Sequence, residues 1–528
     1  MRGMEEKQLL YTAEIDEKEW EKTPPTVKRA VARLAKELAE VKKELAEVKK
    51  ESEEVKKELA ETELEKQGLL EKLNCNPQNS HSPPSSQLNK PKKKSQEPKS
   101  GKKRGGQPGH EGHSRYLYPV EACGTVNDYY PSHCTRCGEA LTGSDPNPYR
   151  HQVVDIPPIQ PKIEEHRLHQ LECPHCGCLT RAELPPGVEK SGYQARTVGI
   201  VSILSGVYHL SHQAVKNVMW DLCGVEIGTG SINRLRKEAS QAVSPTVESA
   251  QNYVQAQPIV GADETGFKQG NADGQNGKNL KAWLWVAVTP LVSFFCVLLS
   301  RSAEAAKQLL GHSFAGYLNC DRYGAYNWLP LAQKQFCWAH LKREFTKMAE
   351  RSGVSQRLGQ ALLEQEKKLF ALWYRVRDGT KDRAAFQREV EPIRAAVKDL
   401  LQKGADYQIG AKEKTPLAKT VRTCRQLLKA ESALWLFLTV EGLEPTNNDT
   451  ERAIRPAVLW RRVSFGSQSQ AGSVFVARML TVVTSLRSQG RNVLEFMTAT
   501  VQAARQGTEP PSLLPEPSYP TESVTLVA

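Results

Sequence analysis

At 528 residues the chain is longer than one hydrophobic core usually supports, so several domains are expected. Its formal charge of +12 is unevenly spread: residues 87–115 hold nine basic and two acidic side chains, supplying +7 and leaving +5 for everything else. Charge concentrated in this way points to a polyanion ahead of a generally basic surface, the plainer alternative being a solubilising linker. The acidic opening MRGMEEKQLLYTAEIDEKEWEK has no apolar run, so no secretory signal is expected. Twelve cysteines without such a signal suit a reducing, cytoplasmic compartment.

The first element in chain order is a heptad array over residues 26–73. Val31, Leu38, Leu45, Leu59 and Leu73 form one column, with Ser52 and Lys66 as polar breaks. Val27, Leu34, Val41, Val48, Val55 and Leu69 form the other, with Thr62 as its weak member. A lone helix cannot bury such a seam, so a coiled coil and a homo-oligomer are expected, against a single solvated helix. Residues 74–118 are rich in Asn, Ser, Pro, Gly and Lys and read as a flexible basic linker. There Lys92, Lys93, Lys94, Lys102, Lys103 and Arg104 are candidate DNA contacts.

Residues 119–190 contain two matching knuckles, Cys134-Thr-Arg-Cys137-Gly and Cys173-Pro-His-Cys176-Gly. Two CxxC turns facing one ion give the tetrahedral thiolate set that Zn²⁺ prefers, in a structural role because no coordination position is left open. Cys178, His133 and His175 are possible substitute ligands, and redox or unliganded thiols are the alternative. The strand-like HQVVDIP between the knuckles suits a zinc ribbon. Residues 191–245 read as helical, with a helix from Ser211, a break at Cys223-Gly224 and a second helix near Ser231. That is the pattern of a helix-turn-helix whose second helix offers Asn233, Arg234, Arg236 and Lys237 to DNA, although any small helical hairpin would share it.

Beyond Pro258 the texture changes to short apolar strands. One runs from Ile259 into Asp263-Glu264-Thr265-Gly266. The apolar residues 282–300 are long enough for a membrane span, but Thr289-Pro290 near the middle and the Val, Phe and Trp content read as two buried strands joined by a turn. A helix around residues 303–310 follows, then a strand ending at Asp321, and a strand from Gln335 leading into His340 and a basic helix. A strand with Asp, two more strands, a helix and a strand with Asp is the order of an RNase H-like core. Two carboxylates about 4 Å apart repel by roughly 4 kcal/mol at an effective dielectric near 20, so clustered acids imply a cation. Oxygen ligands suit Mg²⁺ or Mn²⁺.

Together these motifs resemble the transposases of the insertion-sequence sixty-six family over nearly the whole length. The heptad zipper, Gly106-Gln107-Pro108-Gly109-His110, the cysteine knuckles, Asp263-Glu264-Thr265, the Asp321–aromatic segment, Cys337-Trp338-Ala339-His340 and Asn447-Asn448-Asp449-Thr450-Glu451-Arg452 stand in family order. The resemblance implies a multidomain α/β protein with a DDE catalytic domain at 255–500, a helical insertion at about 350–445 and a C-terminal tail at 501–528. It implies Glu451 as the third acid, completing Asp263 and Asp321, with Asn447 or Asn448 capping its helix and His340 as an auxiliary near the active site. Glu264 in place of Asp263, Asp449 in place of Glu451, and Asp321 as a helix cap are the alternatives. Arg452, Arg455, Arg461 and Arg462 are candidate DNA contacts, with an ordinary ion-pairing role for some of them as the alternative. Pro456 is expected to kink or shorten the last helix. The implied function is metal-dependent cleavage at element ends and strand transfer into target DNA, with accessory proteins as possible partners. The competing readings are a domesticated or inactive relative that only binds DNA, and a coiled-coil scaffold. Arg322, and Arg461-Arg462-Val463, depart from the family pattern and make the DNA contacts there less transferable.

Overall fold

The computed structural model describes residues 17–74, 79 and 115–516. The basic linker's candidate contacts Lys92, Lys93, Lys94, Lys102, Lys103 and Arg104 therefore lie outside the described residues. The elements run α1 (Glu17–Glu21), α2 (Pro25–Asn74), β1 (Gln170–Glu172), β2 (Leu179–Arg181), α3 (Ala195–Gly206), α4 (His212–Cys223), α5 (Thr229–Ala242) and α6 (Ser244–Gln255). Then come β3 (Ile259–Phe267), β4 (Ala282–Val288), β5 (Ser293–Leu298), α7 (Ala303–Leu310), β6 (Tyr317–Cys320), β7 (Lys334–Phe336) and α8 (Trp338–Ala349). The chain closes with α9 (Val354–Arg377), α10 (Arg383–Ala405), α11 (Pro416–Lys429), α12 (Asn448–Val463), α13 (Gln470–Ser488) and α14 (Val493–Gln506). The five longer-range strands form one mixed sheet in the order β5-β4-β3-β6-β7.

The described chain divides into two compact units, with β3 contributing residues to each. The first contains α1, α2, Pro258–Ala262 and Ala315–Glu451. Here β3, β6 and β7 run parallel, Ile259 pairing with Tyr317, Gly261 with Asn319 and Cys320 with Phe336. The expected helical insertion is α9, α10 and α11, which pack in succession onto α8. Aromatic pairs hold it: Trp373 meets Phe437 edge-on at 5.5 Å, and Trp338 meets Trp435 at 4.9 Å. Helix α2 is one uninterrupted helix, and its Val27, Leu34, Val41, Leu45, Val48, Val55 and Leu59 are all exposed.

In the second unit, β4 and β5 form an antiparallel hairpin whose turn at Thr289 is closed by the Val292 carbonyl, which accepts from both Thr289 N–H and Oγ1. The apolar run is thus two buried strands, and no described helix is long and apolar enough to cross a membrane. The outer edge of β5 is covered by α13, where Thr481 and Ser485 hydroxyls accept the N–H groups of Phe295 and Ser293. An edge strand satisfied in this way cannot recruit another strand. Ser211 caps α4 and Gly224 ends it in the left-handed region, as expected of the helix-break-helix pattern. Helix α5 packs on α3, α4, α13 and α14. The C-terminal tail expected from residue 501 starts later, because α14 continues to Gln506 and Leu513 is fully buried.

The cysteine-knuckle segment departs from the expectation in its strands. HQVVDIP is not a strand; the only hairpin there is β1–β2, which flanks the second knuckle. Val153 and Ile156 are more than three-quarters exposed, so period-two alternation found no sheet to bury it.

Candidate active site and metal sites

Asp263 lies on β3 in the second unit, half-buried, with Oδ1 accepting the N–H of Glu264. Its neighbour Glu264 points elsewhere: the carboxylate is fully buried and takes Arg301 Nη2 at 2.6 Å and Nε at 2.9 Å. Arg301 in turn lies over the Trp283 ring. A carboxylate matched by a guanidinium is a structural ion pair, which weighs against Glu264 as the metal-binding member of the motif. Arg461 closes the far end of β3, donating to Thr265 Oγ1 at 2.7 Å and to the Gly266 carbonyl at 2.6 Å. Arg461, a candidate DNA contact, thus has one of its guanidinium nitrogens held by two acceptors near the end of the strand. Arg236 is likewise turned inward, 4.2 Å over Phe475, while Asn233, Arg234 and Lys237 are exposed on α5.

In the first unit Asp321 follows β6 directly and receives the Tyr323 N–H on Oδ1. The preceding carbonyl, of Cys320, accepts from Cys337 N–H, tying the start of α8 to the strand that delivers the acid. Glu451 sits in the first turn of α12, in reach of α8: His340 Nδ1 lies 3.6 Å from Oε1 and Arg343 Nη2 3.6 Å from Oε2. Asp449, the alternative, is exposed in the same turn. Residues at i and i+3 share a helix face, so α8 presents an imidazole and a guanidinium to one carboxylate. Arg343 was not singled out in the sequence, although its spacing from His340 was the available signal.

Asn447, expected as a helix cap, ties sheet to helix instead. Its Nδ2 donates to the Ala262 carbonyl at 3.0 Å, and its N–H reaches Cys337 Sγ at 3.2 Å. Helix α12 then passes through Pro456 without stopping, running on to Val463. The approach of α12 to β3 requires a glycine: a Cβ on Gly261 would stand 2.1 Å from Thr450 Oγ1 and 3.1 Å from Asn447 Oδ1. Gly261→Ala should therefore cost about 1–3 kcal/mol in chemical denaturation, as overpacking does. It should also cut activity, because Thr450 adjoins Glu451; an unaltered denaturation midpoint would refute the contact.

Among the described residues, Cys337, His340 and Glu451 form the group whose potential ligand atoms all lie within 4.8 Å of one another. Sulfur, nitrogen and oxygen together suit a borderline cation such as Zn²⁺ better than Mg²⁺. Burial, however, pushes the Cys337 thiol up to about 11, so the cluster as it stands is a packed support beneath Glu451 with its thiol protonated.

The two cysteine knuckles share one backbone geometry. Gly138 N–H returns to the Cys134 carbonyl and Gly177 N–H to that of Cys173, with both glycines in the left-handed region. N–H groups of Arg136 and Cys137 hold the Cys134 thiol below its ordinary range, and those of His175 and Cys176 do the same for Cys173. Donors that favour thiolate fit a metal-binding role. The described structure pairs Cys134 with Cys137 and Cys173 with Cys176 but does not gather all four sulfurs into a group within 4.8 Å. The imidazole of His133 is taken up by Ser132 Oγ at 3.0 Å.

Comparison with known proteins adds a family. Residues 196–474 match the model described as Transposase IS66 family, and residues 131–177 match the zinc-finger binding domain of transposase IS66. In Sinorhizobium fredii (strain NBRC 101917 / NGR234) the uncharacterized protein y4qI is 28% identical over 257 residues, 44% of this chain and 45% of that protein. The uncharacterized protein y4hP of the same strain is 22% identical over 389 residues, 68% of each. The aligned part thus spans less than half the length of y4qI. The zinc-finger match carries zinc with it, and the catalytic match covers more than half of the sequence, from α3 to α13. On that evidence the chain belongs to the IS66 family of transposases.

Proposed function

We propose that this transposase cuts the ends of its DNA element and joins them to target DNA, using Asp263, Asp321 and Glu451 on an RNase H-like core to bind Mg²⁺ or Mn²⁺. The observation that carries this reading is the parallel register of β3 and β6. Gly261 stands opposite Asn319, and a count of two further residues along each chain reaches Asp263 and Asp321. Support for the third acid comes from Asn447, which precedes Glu451 by one helical turn and bonds the carbonyl of Ala262, next to Asp263. The sheet order, with β3 central between an antiparallel hairpin and parallel β6, supports the RNase H-like assignment.

The three acids offer oxygen donors only, the set a hard divalent cation takes. Bound there, such ions would ease ionisation of an attacking oxygen and offset charge on the leaving one. The chain's own groups orient the acids: the Glu264 and Tyr323 N–H groups fix Asp263 and Asp321, and His340 with Arg343 steadies Glu451. In the first reaction water displaces a phosphodiester oxygen and leaves a 3′-OH; in the second that 3′-OH displaces an oxygen in target DNA. Each P–O bond formed is matched by one broken, so no protein nucleophile is needed.

Around this core, Cys134, Cys137, Cys173 and Cys176 hold a structural Zn²⁺. Helices α4 and α5 act as a helix-turn-helix with Arg234 and Lys237 toward DNA, as do Arg452 and Arg455, with Arg462 beside them. The basic linker adds phosphate contacts, and the exposed apolar columns of α2 pair chains into a coiled coil. Small accessory proteins join the assembly. The test is a plasmid carrying the inverted repeats that flank the gene: with zinc retained, strand breaks at the element ends should require added Mg²⁺ or Mn²⁺ and vanish when neither is supplied. Cleavage at full rate with neither ion supplied would overturn the proposal.

A further inference from the structure

We infer that Phe465 is a stacking site for an unpaired nucleobase, displayed on a rigid loop just past the helix that carries Glu451. The side chain is 77% exposed and its backbone is left-handed, with φ +58°. A bulky residue at positive φ is strained, at a cost that persists only where the surroundings enforce it. Here they do. Gly466, at φ +104°, lies so close to β3's continuation that a Cβ would meet the Lys268 carbonyl oxygen at 2.2 Å. Ser467 N–H donates to that same carbonyl at 2.9 Å, Gly270 N–H to Ser467 O at 2.8 Å, and Ala272 N–H to Gln468 O at 2.9 Å. On the other side, Ser464 N–H closes onto the carbonyl of Trp460, a buried residue packed edge-on against Phe475. The loop is clamped at both ends, and the aromatic ring between the clamps faces outward.

The surface leading to it names the partner. Along α12, Arg452, Arg455, Leu459 and Val463 recur at helical spacing on one exposed face that ends beside Phe465. Exposed apolar and aromatic groups alone would suit another protein; with two arginines on the same stripe the charge complements a phosphate backbone. A ring that accepts any base face, flanked by cations, is the arrangement that binds unpaired nucleic acid. A base displaced from the duplex stack loses its stacking partners, and a fixed exposed aromatic supplies a face in their place.

This inference rests on the DNA-transposase reading, but its test needs no catalysis. Full-length, zinc-loaded protein with no added Mg²⁺ or Mn²⁺ is titrated with two duplexes of equal composition, one fully paired and one frayed at an end bearing 2-aminopurine. Wild type should prefer the frayed duplex and change the 2-aminopurine emission. Phe465→Ala should bind the frayed duplex about ten-fold more weakly and the paired one nearly unchanged; Phe465→Trp should keep the preference. Phe465→Gly should lose it while melting about 2 °C higher, since glycine relieves the positive φ. A preference that survives Phe465→Ala, a wild type with no preference, a lowered melting temperature in Phe465→Gly, or a changed oligomeric state in Phe465→Ala would each overturn the assignment. A wild type that keeps the Phe465-dependent preference yet never cleaves would instead sink the catalytic reading and leave this one standing.

Discussion

Glu451→Ala is expected to lower strand cleavage at least about a thousand-fold, roughly 4 kcal/mol of barrier, while the protein still folds. Asp263→Ala and Asp321→Ala should match it, because a cation shared by three acids is lost when any one is removed. The side chains concerned are half-buried, Asp263 in the middle of β3 and the other two at a strand end and in a first helical turn, so melting should move little. The neighbouring acids sharpen the test. Asp449→Ala, in the same helical turn but exposed, should leave cleavage near wild type. Glu264→Ala should act through stability, because it strips the Arg301 guanidinium of its buried partner. If Glu451→Ala cut as fast as wild type, or if Glu264→Ala alone removed metal dependence without lowering the melting temperature, the assignment of the three acids would be wrong.

Removing zinc is expected to unfold the cysteine-knuckle segment outright. No residue from 115 to 194 is buried, and the segment's regular structure is one three-residue hairpin and a single turn of 3₁₀ helix. Hydrophobic burial therefore contributes almost nothing there, whereas a structural zinc site contributes roughly 10–16 kcal/mol. Cys134→Ser and Cys173→Ser should each abolish stoichiometric zinc by metal analysis and open residues 131–177 to proteolysis. The helices and sheet of the catalytic domain, which have their own buried core, should keep their melting transition. A zinc-free protein with residues 131–177 still resistant to protease would show that something other than metal holds the segment.

What the sequence determined by itself was whatever depends on neighbours a few residues away. The start of α4 at Ser211 and its stop at Gly224, the turn at Thr289 between two buried strands, the uninterrupted α2 and the helices between residues 354 and 429 were all legible as capping, turn and periodicity signals. The two CxxC knuckles and the order of the acidic motifs were legible for the same reason, since a motif is a local object. The tertiary structure decided which charged side chains are available and which are tied. Arg461, a candidate DNA contact, finds its acceptors on a strand 196 residues earlier, and Asn447 reaches a carbonyl 185 residues away in place of capping its own helix. Arg236 and Glu264 are claimed by Phe475 and Arg301, which the sequence alone gave no means of pairing with them. HQVVDIP has the alternation of a strand and no partner to make it one. Backbone propensity acts over a few bonds and is written in adjacent residues, while the desolvation and pairing of a charge depend on whatever the fold sets beside it.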